Sequence, residues 1–123
     1  MEDIRDIVFL KGSQGTDSRD TFNELSKLYN CILFDNLYEK PDKMAALKFL
    51  KPECLHISTT GLFHEKIDFL VDVFSSLEWA PKYVIFEHER SVMALLELAR
   101  ELKGKGVRFF YVDGTEFDEI KWI

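Results

Sequence analysis

Short apolar runs alternate along the chain with longer stretches in which apolar side chains recur every three or four positions. The first pattern predicts strands and the second helices, because side chains repeat a face every 2 residues in a strand and every 3.6 in a helix. Residues 4–10 form the first apolar run. In residues 17–29, Phe22, Leu25, Leu28 and Tyr29 stand at helical spacing. Asp17 is placed to cap that helix, and Asp20 adds favourable charge to its first turn. Residues 31–34 predict a second strand ending at Asp35. Pro41 suits the first turn of a helix that runs through Met44, Leu47 and Leu50 and stops before Pro52. Residues 54–58 predict the third strand.

Phe63, Ile67, Leu70, Phe74 and Leu77 then step by 4, 3, 4 and 3, the strongest helical pattern in the chain, which Pro81 ends. Residues 83–86 predict the fourth strand. Val92, Leu95, Leu96, Ala99 and Leu102 predict a helix closed by Gly104. Residues 107–112 predict the fifth strand. In the tail, residues 113–123, Glu116, Asp118 and Glu119 are interleaved with Phe117, Ile120, Trp122 and Ile123. That tail is expected either to pack back along a sheet edge or to dock on a partner.

Strand and helix alternating with short connections predict an α/β fold: a five-stranded parallel sheet with helices on both faces. Right-handed crossovers leave few topologies. The flavodoxin-like order 2-1-3-4-5 is the first expectation and a Rossmann-like 3-2-1-4-5 the alternative. The chain of 123 residues reads as one domain, residues 1–123, with an acidic-aromatic tail at 114–123.

Composition narrows the function classes. The formal net charge is −6, and residues 1–51 hold 8 basic and 9 acidic side chains against 8 and 13 in residues 52–123. An acidic chain without a Lys/Arg-rich run is a poor fit to non-specific nucleic-acid binding, which neutralises phosphates. Two cysteines, Cys31 and Cys54, are too few for a disulfide scaffold and are expected to be buried thiols. The acidic start, with Glu2, Asp3 and Asp6, does not match a signal peptide, and no apolar run approaches the ~20 residues of a membrane span. A cytoplasmic location, away from membranes, is the expectation.

In a doubly wound sheet, ligands bind beyond the carboxyl ends of the strands. Five groups fall there. Gly12, Ser13, Gly15 and Thr16 form a glycine loop ahead of a helix, where backbone N–H groups favour anions. Over five residues this loop resembles the opening of the phosphate loop of RecA-like ATPases, but the essential lysine position does not match and no activity is implied. Asp35 follows the second strand. Thr59 and Thr60 follow the third, with His64 one turn on. Glu87, His88, Glu89 and Arg90 follow the fourth, and Asp113 the fifth. His64, His88 and Glu87 are the candidates for moving protons. No spacing of the H-x-x-x-H or H-E-x-x-H kind points to a metal, and no cofactor is named by any motif.

Two functions follow. The first is a non-catalytic ligand-binding or protein-interaction module, self-associating as a homodimer or meeting another protein through its sheet edge or surplus apolar helix faces (Phe69, Val73, Trp79, Met93 and Leu98) or through its tail (Phe117 and Trp122). The second is a small enzyme acting on a phosphate-bearing or nucleotide substrate at the carboxyl edge of the sheet, metal-assisted if carboxylates dominate there. Carboxylates outnumber Lys11, Arg19 and Arg90 near that edge, which favours the module.

Overall fold

The computed structural model describes residues 4–11, 19–35, 45–46, 49–57 and 81–123. These residues build one six-stranded sheet. In chain order its elements are β1 (Asp6–Lys11), helix α1 (Arg19–Leu25), β2 (Asn30–Asp35), β3 (Cys54–Ile57), β4 (Tyr83–Phe86), a 3-10 helix (Glu89–Leu95) running into helix α2 (Leu96–Gly104), β5 (Arg108–Asp113) and β6 (Glu116–Glu119). The strand order is β2-β1-β3-β4-β5-β6. The first five strands are parallel, and β6 pairs antiparallel with β5.

The five parallel strands thus take the order 2-1-3-4-5. The Rossmann-like alternative is overturned, because β3 pairs with β1 and not with β2. The five-stranded, all-parallel flavodoxin-like sheet is also corrected: the tail adds a sixth, antiparallel strand. Of the helices expected on both faces, the described residues hold two, α1 against one face and α2 against the other. That division follows from handedness. The chain moves one way along the sheet from β1 to β2 and the opposite way from β4 to β5, so right-handed crossovers place their helices on opposite faces.

β1, β3 and β4 are central and buried on both faces, which is why they read as unbroken apolar runs. Val8, Leu10, Leu55, Ile57, Val84, Phe86 and Phe109 point to one face and pack under Val92, Leu95, Leu98, Ala99 and Leu102. Ile7, Phe9, Cys54, Ile85 and Phe110 point to the other, under Leu25 and Phe22. Leu98 is 4% exposed and belongs to the core, so its place in a surplus outer face is corrected. The stripe on α2 buries it directly against the sheet.

Helix α1 is shorter than its pattern predicts. It ends at Leu25, residues 26–28 turn, and Leu28 leaves the stripe to stand 63% exposed. Residues 45–46 and 49–50 are helical, and Lys51 (φ 47) ends that stretch in the left-handed region ahead of Pro52. The expected third helix lies outside the described residues.

The closing turn of α2 uses Gly106, not Gly104. Gly106 has φ 92, its N–H donates to the Lys103 carbonyl at 3.0 Å, and the Val107 N–H donates to the Leu102 carbonyl at 3.1 Å. This is a Schellman closure, completed by Val107 and Leu102 within one core cluster. β5 then turns back through Gly114 (φ 66) and Thr115 into β6. A two-residue hairpin needs positive φ at its first loop position, which glycine supplies. Ile120 enters the core, Phe117 meets Tyr29 with ring centroids 5.9 Å apart, and Arg108 bonds Glu119 across the β5–β6 pair.

Candidate functional site

The carboxyl ends of the parallel strands gather one buried polar cluster. His56 sits in β3 opposite Phe9 of β1 and Ile85 of β4. Its ring is fully buried and stacks on Phe9, with centroids 4.2 Å apart and planes 17° apart. Glu87 follows β4 on the same face and is also buried. Its Oε1 lies 2.8 Å from His56 Nε2, and its Oε2 accepts a hydrogen bond of 2.8 Å from the Thr21 hydroxyl in α1.

The His56–Glu87 contact is close but off the axis of the ring N–H. Among the described residues His56 Nε2 and Glu87 Oε1 therefore both lack an aligned hydrogen bond, and His56 Nδ1 has no partner. The attraction is electrostatic, and it gains strength from burial. Chemically, the cluster fastens α1 to the sheet: one carboxylate holds a strand residue with one oxygen and a helix residue with the other. The helix so fastened is the one that residues 12–18 lead into.

A histidine inside a buried strand reads as one that packs within the sheet; the structure adds a partner, Glu87. The signal was a lone polar residue inside the buried run Cys54-Leu55-His56-Ile57, which demands a buried companion. Thr21 carried no sequence signal at all.

The other strand-end residues are spread over the surface. His88 and Arg90 are exposed, His88 extended (φ −135, ψ 148) ahead of the 3-10 helix that contains Arg90. Asp35 closes β2, and Asp113 closes β5, exposed. Glu89 accepts a hydrogen bond of 2.8 Å from the Trp122 indole N–H, which brings the tail to the end of β4. Beside it the negative charge of Asp118, helped by burial and by Glu89 and Asp113, pushes the Tyr111 hydroxyl above its usual range. The corner is therefore acidic, with Arg90 the described cation nearest in sequence. Gly12, Ser13, Gly15, Thr16, Thr59, Thr60, His64, Phe69, Val73 and Trp79 lie outside the described residues.

The described residues hold no group of three or more metal-ligating side chains. Neither thiol is activated. Burial, with a smaller push from Cys31, raises the Cys54 thiol to about 12, and burial raises that of half-buried Cys31. No described helix is long and apolar enough to cross a membrane.

Two cavities open at the opposite, amino edge of the sheet. One of about 280 Å³ lies between Ile4, Asp6, Leu50 and Glu53, and one of about 140 Å³ between Val107, Arg108, Glu119 and Lys121. Neither borders the His56 cluster.

Comparison with known proteins returns nothing: no family model, curated protein or solved structure matches the chain.

Proposed function

We propose that this chain is a non-catalytic protein-interaction module of α/β fold that associates with itself. The observation that carries this is a set of large apolar side chains left outside both cores: Phe49 (87% exposed), Leu28, Met93 (59%), Trp122 (50%), Leu50 and Leu33. Single apolar residues on a surface are ordinary, but Leu28 and Leu33 belong to one segment, the turn into β2 and β2 itself. The polar cluster is consistent with this reading. Both Glu87 oxygens face protein groups and the His56 ring is sealed from solvent, so the cluster acts on the fold rather than on a solute.

Sedimentation velocity across a wide concentration range tests the proposal. A dimer that dissociates on dilution is expected. A monomer at every concentration overturns it.

A second reading keeps one observation in its favour. Thr21 and Glu87 anchor α1 at the carboxyl edge of the sheet, where a phosphate-bearing ligand would meet the loop of Gly12, Ser13, Gly15 and Thr16, with Asp35, Thr59, Thr60 and Arg90 around it and His64 or His88 for protons. Thermal unfolding against nucleotides, inorganic phosphate and divalent metals separates the two. A ligand at ~100 times its dissociation constant stabilises by roughly 2.7 kcal/mol. A shift of that size supports the second reading, and its absence for all of them leaves the module.

A further inference from the structure

Resting on the self-association reading above, we propose that a second copy docks on the free edge of β2, the two β2 strands pairing antiparallel about a two-fold axis at Leu33. Among the described residues β2 is an outermost strand and bonds only to β1. The Asn30 N–H donates to the Arg5 carbonyl at 2.8 Å, so the backbone groups of Asn30 face β1. Strand residues alternate, so Ile32 and Phe34 also face β1, while the N–H and C=O groups of Cys31, Leu33 and Asp35 face outward. An outward row of this kind is a template for another strand.

Asp35, at the end of the row, is its one charge, and in the register below it stands opposite Cys31 and not another carboxylate. From Cys31 to Phe34 there is no charge and no proline, the devices that normally blunt an edge. The opposite edge is built the other way. β6 carries Glu116, Asp118 and Glu119 in four residues, and a second copy of it would bring like charges together. Leu33, 41% exposed, is the apolar side chain that the β2 edge leaves uncovered.

Backbone valence selects the register. With Leu33 opposite Leu33, Cys31 of each copy stands opposite Asp35 of the other, and all three outward residues of both strands are paired, giving about six backbone bonds. Sliding by one pair leaves Asp35 or Cys31 without a β2 partner. A two-fold axis normal to the sheet keeps each face continuous, so Ile32 of one copy lies beside Phe34 of the other. The contact is isologous and closes at two copies.

Cross-linking through the axis tests this. In the Cys31→Ser, Leu33→Cys variant the two new thiols face each other across Cα atoms ~5.5 Å apart, within the ~4.4–6.8 Å that a disulfide spans. Mild oxidation is expected to yield a covalent dimer on a non-reducing gel at least ~10-fold faster than in the Cys31→Ser, Leu28→Cys control, whose thiol is off the axis. The Leu33→Lys variant, checked for an unchanged unfolding midpoint at high dilution, is expected to sediment as a monomer where the unaltered chain is a dimer. A dimer that neither cross-links at position 33 nor dissociates with Leu33→Lys overturns the β2 edge while leaving self-association standing. A chain that is monomeric throughout overturns both.

Discussion

The two edges of the sheet are opposites. β2 presents Asn-Cys-Ile-Leu-Phe-Asp, apolar between its ends, and β6 presents Glu-Phe-Asp-Glu. Both expose a row of backbone groups, so hydrogen bonding alone does not distinguish them. Charge does. The β6 carboxylates repel a like edge, and Glu119 is turned inward: the Arg108 hydrogen bond holds its carboxyl below the usual range. β6 is also held from within, by Ile120 in the core, by Phe117 against Tyr29 and by the Lys103 ammonium on the Ile123 carbonyl. Among the described residues β2 has no such finish. An edge strand is adhesive by default, and a chain that needs one sticky side has only to blunt the other.

The sharpest way to break this comparison is at Leu33. Leu33→Lys should raise the dimer dissociation constant by roughly 30-fold or more, since a central apolar anchor contributes about 2 kcal/mol or more. The same substitution at Phe117 of β6 should leave the dissociation constant unchanged. Sedimentation equilibrium reads both.

The anchor of α1 is tested on stability instead of dimerisation. Glu87→Ala strands His56 without its carboxylate and frees Thr21, at a cost of about 3 kcal/mol. Calorimetry should show the midpoint fall by roughly 10 °C. Amide exchange should quicken first in α1, the helix that the cluster fastens to the sheet. Gly106→Ala acts on the other half. It forces a side chain into φ 92 at the end of α2 and should cost about 1 kcal/mol in a denaturant titration without altering the dimer.

Neutralising β6 sharpens the comparison from its blunt side. Glu116→Thr with Asp118→Thr should give species larger than a dimer, because both edges then accept a strand. The smallest effect is set by pH. The Cys54 thiol ionises near 12 when folded and near 9.0 when exposed, so the unfolded chain ionises first. Its contribution to stability is whole below pH 9 and is lost as pH rises from 9 toward 12. Replacing Cys54 by Ala should remove that part of the alkaline decline in the unfolding free energy.

Much of the sheet was legible because its centre is buried on both faces. Residues such as Ile7, Val8, Phe9 and Leu10 have no polar face to show, and their unbroken run separates them from the helices. Crossover rules left two orders for the five parallel strands, and the pairing of β3 with β1 decides between them. The hairpin was missed although Asp113-Gly114 between Val112 and Phe117 is a strong turn signal; the acidic residues of β6 disguised a strand whose charge serves its edge. Leu98 was misplaced because helical periodicity gives the width of an apolar stripe but not what lies over it. The His56–Glu87–Thr21 cluster joins residues 31 and 66 positions apart in sequence, pairings that only the folded sheet creates. The glycine loop and the Thr59–Thr60 pair lie outside the described residues, so their role rests on the sequence.

Backbone amide exchange, followed residue by residue at several protein concentrations, tests the central claim most directly. The amides of Cys31, Leu33 and Asp35 should be fast in dilute solution and protected as the concentration rises, while those of Phe117 and Glu119, which face outward from β6, stay fast throughout. If the β2 amides exchange at one rate at every concentration, or if the β6 amides are the ones that gain protection, the assignment of the adhesive edge is wrong.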